Sequence, residues 1–281
     1  MAKAVARWIV VLSTLFVIGP VAAWLTGTIR GHDGGHTVTL LVNASPLRGV
    51  LLGFAVMAIA AACGGVSSRV VSRDMGLTMA GIVVAWGAWR LGTLENTIAT
   101  TSDASALPWS ALEAFIVGVG SAGVAAVTVL SAPNGGRAVL LGSLEDGDGK
   151  LLRAGVVGAL LGVPAAGAVA WLFAIEPLKG QCVAAAIFAG IAAGAAAQLV
   201  GSMWSVRAGV LAPVLAVMGA AVLGPILAKF LHPQVVADAV AHRLAGVAKP
   251  ASLDWLAGAL IGSPMGLAWS RSMLEREVNA G

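Results

Sequence analysis

The sequence has few charged residues, only two cysteines and no tyrosine. Of its 281 residues 11% are charged, against roughly 25% in an average soluble domain, so the chain lacks the polar residues that a water-facing surface requires. Cys63 and Cys182 show no metal-type spacing, which excludes a disulfide framework and a cysteine metal site. Phosphate-loop and dinucleotide-binding motifs are absent, and no lysine or histidine lies at mid-span, so we expect no cofactor.

What the chain has instead is apolar residues. They make up 58% of the sequence, the mean hydropathy is +0.92, and there are 37 glycines. The net charge of +4 comes from basic residues scattered singly between apolar runs. No basic patch interleaved with aromatics is present, so nucleic acid is not an expected partner, whereas the lipid bilayer is.

The apolar residues fall into long continuous runs. The clearest is 183–231, in which two arms of about 20 residues are separated by a short polar step, and a helix of that length crosses a bilayer. The pattern predicts an all-α polytopic membrane protein with about eight transmembrane helices. Their expected ranges are 8–29, 48–67, 75–92, 108–131, 153–175, 182–204, 208–231 and 255–270.

Lysine and arginine between these spans predict an orientation. Ten lie on the side of the N-terminus and seven on the opposite side, and the positive-inside rule places the richer side in the cytoplasm. We therefore expect an integral protein of a cytoplasmic membrane, of bacterial type, with both termini cytoplasmic.

The chain also shows internal similarity. A shift of 134 positions lays Phe54 on Phe188, Ser68 on Ser202 and Arg73 on Arg207, which matches the second and third spans with the sixth and seventh. This predicts two tandem four-span halves, 1–131 and 153–281, joined by a cytoplasmic linker loop at 132–152. The alternative is that Ala/Gly-rich helices resemble one another by composition alone.

Two prolines occupy corresponding places in these halves. Pro20 and Pro164 lie within the first and fifth spans, where each removes a backbone hydrogen bond at membrane depth. Interrupted helices at matching positions point to a transport site, although a proline kink also serves packing alone. Gln198 is the deepest strongly polar side chain, which either belongs to this pathway or makes an interhelical hydrogen bond.

Ionisable residues near the apolar runs are further candidates. Arg90 and Glu113 both lie toward the outer face, close enough in depth to form an ion pair. Lys229 and Asp254 occupy similar places at the ends of later spans. A charge inside a membrane is by default a functional hypothesis. The alternative is that all four side chains reach the polar interface.

The four histidines lie in loops of one predicted side. His32, Asp33 and His36 are close together in the first outer loop, and His242 lies in the last one with His232. Imidazole and carboxylate groups are zinc and copper ligands, so His32, Asp33, His36 and His242 are weak candidates for a metal site.

Glycines at small-xxx-small spacing favour close helix contacts, either within the chain or with partner proteins and further copies of the chain. The pairs are Gly158/Gly162 and Gly190/Gly194, with the triplet Gly258/Gly262/Gly266. The sequence thus predicts a transporter or channel-like permease for a small solute. The alternative is a non-catalytic scaffold subunit of a membrane complex, and no catalytic set favours an enzyme.

Overall fold

The computed structural model describes residues 2–133, 136–144 and 148–280, and most of them are helical. The α-helices are α1 (Ala2–Ser13), α2 (Gly19–Thr26), α3 (Pro46–Val70), α4 (Arg73–Trp89), α5 (Leu94–Thr101), α6 (Ala106–Leu130), α7 (Arg137–Leu141), α8 (Asp148–Phe173), α9 (Lys179–Ser202), α10 (Leu211–Leu231), α11 (Val235–Val240) and α12 (Ser252–Ala280). A π-helical turn (Thr14–Ile18) joins α1 to α2, and a 3-10 turn (Gly246–Ala248) precedes α12. The predicted all-α class is confirmed.

Seven helical segments in the described part of the chain are long and apolar enough to cross a membrane. They are Ala4–Thr26, Pro46–Val70, Arg73–Thr101, Ala106–Leu130, Ala154–Phe173, Lys179–Ser202 and Leu211–Leu231. Their surfaces carry large apolar side chains such as Phe16, Leu172 and Phe230, which are 73%, 68% and 76% exposed. Water would penalise such an exterior and lipid accepts it, so the protein is a multi-pass membrane protein surrounded by a bilayer.

The eighth predicted span, 255–270, lies within α12, which has the length of a membrane span but is less apolar than the other seven segments. This helix packs against α4, α6, α9 and α10, and every residue from 252 to 260 is buried. Because protein and not lipid surrounds this part of α12, the helix tolerates Asp254, Ser263 and Ser270 among its buried residues.

Glycines set the contact between α9 and α12. A Cβ on Gly262 would lie 2.2 Å from the carbonyl oxygen of Ile187, and one on Gly190 would lie 2.4 Å from that of Gly258. Gly162 faces Ala216 in the same manner, with a Cβ placed 2.7 Å away. The predicted small-residue faces are therefore used for packing inside the chain, which leaves them unavailable to a partner subunit in this arrangement.

The two predicted halves share one core. Helix α4 packs against α12, and α6 packs against α10, so the third span of each half contacts the fourth span of the other. The predicted linker contains α7 and a strand, β1 (Gly142–Leu144), which pairs antiparallel with β2 (Val206–Ala208). Residues 134–135 and 145–147 of that linker lie outside the described residues.

Candidate functional site

Five ionisable side chains gather at the end of the bundle where α5, α6, α9 and α12 begin. We call Glu95, Glu113, Lys179, Lys249 and Asp254 the carboxylate–lysine cluster. Glu95 and Asp254 are 0% exposed and Glu113 is 2% exposed. The expectation that Glu113 and Asp254 reach the interface is therefore wrong, because the loop 27–45 and the α11–α12 connection cover this end.

Glu113 of α6 is held by three hydrogen-bond donors. Thr39 donates its hydroxyl to Glu113 Oε2 at 2.6 Å, and the backbone N–H of Leu41 donates to the same oxygen at 2.8 Å. Ser252, at the start of α12, donates its hydroxyl to Oε1. Leu40, between the first two donors, is 2% exposed and lies against Gly49 and α6. The loop 27–45 thus closes over the bundle with Glu113 as its anchor.

Two ion pairs complete the cluster. Lys249 Nζ lies 3.2 Å from Glu95 Oε2, and Lys179 Nζ lies 2.9 Å from Asp254 Oδ2. Lys179 also donates to the carbonyl oxygen of Gly92 at 3.2 Å. Charges this deeply buried are stable only when they are paired and hydrogen-bonded, so each lysine holds one carboxylate in place, whereas Glu113 is held by its three donors.

The cluster is not fully satisfied. Three carboxylates face two ammonium groups, which leaves a formal charge of −1 when all five are ionised. Among the described residues of the cluster, Asp254 Oδ1 is buried without a hydrogen-bond partner, and Glu95 Oε2 has its ion pair with Lys249 but no hydrogen bond. Outside the cluster, Trp255 Nε1 and Ser110 Oγ are buried in the same way. A buried polar network with open positions is costly for stability.

A second polar group lies beside the cluster, in the segment that follows α10. His232 Nε2 accepts the backbone N–H of Ala245 at 3.1 Å, so its Nδ1 carries the proton and donates to Asp238 Oδ2, also at 3.1 Å. This hydrogen bond, helped by the guanidinium of Arg243, holds the pKa of Asp238 below its ordinary value. His232 and Arg243 line a cavity of about 480 Å³ with Lys249.

The opposite end of the bundle carries a cavity of about 410 Å³, lined by three arginines. We call it the arginine cavity. Arg73 begins α4, Arg207 lies in β2, and Arg271 lies in α12. The cavity therefore opens between the first predicted half, which supplies Arg73, and the second, which supplies the other two.

Neighbouring polar groups orient Arg271. Its Nε donates to Gln198 Oε1 at 3.0 Å, and one terminal nitrogen donates to the carbonyl oxygen of Ala208 at 2.7 Å. Both acceptors are neutral, so they fix the guanidinium without compensating its charge. Arg73 by contrast pairs with Asp74 at 2.9 Å, and Glu275 also lines the cavity.

The residues predicted for a pathway are spread over the molecule. Glu113 belongs to the carboxylate–lysine cluster, and Gln198 is 4% exposed and supports the arginine cavity. Arg90 is exposed at the end of α4 and is not a partner of Glu113, whose donors are those given above.

The two prolines are not brought together. Pro20 is half-buried at the start of α2, which packs against α4. Pro164 is exposed and lines an apolar groove of about 620 Å³ between α8 and α10. Each lies on a helix that packs mainly against helices of its own half.

The metal candidates are also separate. Across residues 2–133, 136–144 and 148–280, no group of three or more His, Cys, Asp or Glu side chains is placed to hold a metal ion. His36 contacts Arg30, and Asp33 accepts the backbone N–H of Gly35. His242 adopts a left-handed backbone conformation, with φ of 55°.

Sequence reasoning overlooked several residues of both sites. Lys179 and Lys249 entered only in the count of basic residues between spans, and Glu95 was not singled out. The partners of these residues are 75 or more positions away. One usable signal was present: the 134-position shift that superposes Arg73 on Arg207 pairs two residues that line the same cavity.

Comparison with known proteins adds no relative, since no family model, no curated protein and no solved structure matches the chain.

Proposed function

We propose that the protein is a permease for a small solute, which works by alternating access between its two halves. The observation that carries this proposal is the contrast between the two ends of the bundle. At one end the buried Glu95–Lys249 ion pair and the hydrogen bond from Ser252 to Glu113 join the halves, and at the other end a cavity opens between them. Along α12, Asp254 and Arg271 are separated by 17 residues, which is about 25 Å of helix.

The contacts at the closed end join the halves directly. Glu95 of the first half pairs with Lys249 of the second, and Glu113 of the first accepts from Ser252 of the second. Buried pairs of this kind contribute little net stability compared with apolar side chains of similar size. Ionisable groups inside a membrane protein more often mark a pathway or a moving element, so we assign the cluster the role of a gate.

The open end has the complementary property. The arginine cavity lies where α4 of the first half meets α12 of the second. In parallel-repeat transporters the halves rock about a central site and expose it to one side at a time. In this proposal the structure is the state open at the arginine end, and the excess of basic residues predicts that this end faces the cytoplasm.

Cysteine labelling tests the proposal without knowledge of the solute. The two native cysteines, Cys63 and Cys182, are buried and are replaced by alanine. Single cysteines are then introduced at Thr97, 0% exposed in α5, and at Ser272, which is exposed and lines the arginine cavity. Thr101→Cys, exposed at the end of α5, is the matched control. A water-soluble maleimide should modify positions 272 and 101 rapidly and position 97 slowly.

The decisive step weakens the gate. The double change Glu95→Gln and Lys249→Met removes one inter-half ion pair and leaves no isolated charge. For a permease, labelling at position 97 should rise several-fold while labelling at position 272 falls. If both rates stay unchanged the ends are not coupled, which favours a static subunit. If both rise together, the variant has simply loosened, and in either case the proposal fails.

A further inference from the structure

We propose that the arginine cavity is a binding site for a phosphate group. Three guanidinium groups, from Arg73, Arg207 and Arg271, line one cavity of about 410 Å³. That volume lies within the range of small-molecule sites. Guanidinium is the side chain best suited to phosphate, because its fork of N–H donors binds two oxygens at once.

The charges in the cavity favour an anion. Of its two carboxylates, Asp74 is paired with Arg73, and Glu275 is exposed. No carboxylate among the described side chains lies within 4.0 Å of the guanidinium of Arg207 or Arg271. Arg207 and Arg271 therefore face the cavity without a direct ion pair; three guanidinium groups against two carboxylates leave the lining with a formal charge of +1, and the repulsion of Arg271 by Arg73 and Arg207 is relieved when an anion enters.

The cavity is also built to hold its donors in place. Gln198 is 4% exposed, and its side-chain oxygen fixes the Nε of Arg271 at 3.0 Å. The carbonyl oxygen of Ala208, in β2, accepts a hydrogen bond from a terminal nitrogen of Arg271 at 2.7 Å. Strand β2 is in turn supported by its pairing with β1. Donors fixed in advance cost less to order when a ligand binds.

Apolar walls strengthen these interactions. Val139, Val210, Pro264 and Leu267 line the same cavity. Low-dielectric walls around one sign of charge concentrate the field and raise the local concentration of the opposite ion. The cavity therefore attracts an anion from a larger volume than exposed arginines would.

Two sources supply a phosphate group at this place. One is a soluble phosphate that enters from water, and the other is the headgroup of an anionic phospholipid at the interface, where basic pockets between helices bind headgroups. Binding is argued from the cavity alone; the further statement that a soluble phosphate is the transported solute rests on the proposed permease.

The binding test uses the full chain in phosphatidylcholine nanodiscs, titrated with inorganic phosphate at constant ionic strength. Thermal stability should rise with phosphate and saturate, and Arg207→Gln should weaken the apparent affinity at least about tenfold. Arg207 is exposed and lies outside the helices, so this variant should fold. The matched control is Arg48→Gln, an exposed arginine at the start of α3, where the affinity should not change.

A second arm replaces part of the phosphatidylcholine by phosphatidylglycerol. If phosphatidylglycerol stabilises the protein and inorganic phosphate does not, and Arg207→Gln abolishes this effect, the site binds a lipid headgroup. The proposal is overturned when neither phosphate nor phosphatidylglycerol stabilises the protein, or when Arg207→Gln and the parent respond equally. Uptake of labelled phosphate by proteoliposomes is measured separately, since binding without uptake preserves the site and removes phosphate as the solute.

Discussion

Removing one charge from the carboxylate–lysine cluster tests how much its ion pairs contribute to the stability of the folded protein. Lys249→Met deletes an ammonium group whose side chain is 3% exposed and leaves Glu95, 0% exposed, without its counter-charge. At 3.2 Å the attraction between the two is about 5 kcal/mol for an effective dielectric constant of about 20. Breaking a buried pair from one side typically costs about 3–5 kcal/mol, and we expect a loss of that size.

A control variant and a second-site change show whether the loss of stability comes from the unpaired charge of Glu95. Lys229→Met, at an exposed position near the end of α10, should cost less than about 1 kcal/mol. Adding Glu95→Gln to Lys249→Met should recover most of the stability, because no isolated charge then remains. Lys249 also donates to the carbonyl oxygens of Ile175 and His242. The double-mutant cycle separates the ion pair from those contacts.

The assay is reversible unfolding in mixed detergent micelles, followed by circular dichroism. A coupling energy below about 1 kcal/mol between Glu95 and Lys249, or equal losses for the Lys249 and Lys229 variants, would refute the reasoning. The first result would mean that the pair is hydrated in the folded protein.

Two further predictions concern packing and the Glu113 anchor. Gly262→Leu should prevent folding, because even its Cβ would lie 2.2 Å from the carbonyl oxygen of Ile187. The measurement is size-exclusion chromatography in detergent, in which the monodisperse peak of the folded protein should be lost. Gly123→Ala, at a position with open space around the Cβ, should fold normally. Thr39→Val should cost about 1–3 kcal/mol in the same unfolding assay, since Glu113 loses a donor at 2.6 Å. Unchanged stability would show that water replaces the hydroxyl.

Composition and periodicity were sufficient to predict the helices. In lipid, a continuous apolar run of about 20 residues satisfies its backbone hydrogen bonds by forming a helix. Seven of the eight predicted spans are helices long and apolar enough to cross a membrane. The glycine triplet of α12 likewise indicated a close helix contact, although only the structure shows that α9 supplies the other side.

The environment of each charge was not predictable in this way. Glu113 was expected to lie toward the outer face, with the polar interface within its reach. It is instead buried beneath Thr39 and Leu41, more than 70 residues earlier in the chain. Local sequence reports how far along a helix a residue lies. It does not report which loop folds back over that end, because loop closure depends on contacts that are distant in sequence.

The sequence by itself determined that the chain is helical, that it lies in a membrane and where most of its helices run. These properties follow from the transfer of side chains and backbone into lipid, which each segment decides largely alone. The tertiary structure decided that Glu95 meets Lys249, that α12 is surrounded by protein, and that Arg73 and Arg207 share a cavity. Such contacts depend on how the helices pack against one another. Packing is a property of pairs of segments, which no single segment encodes.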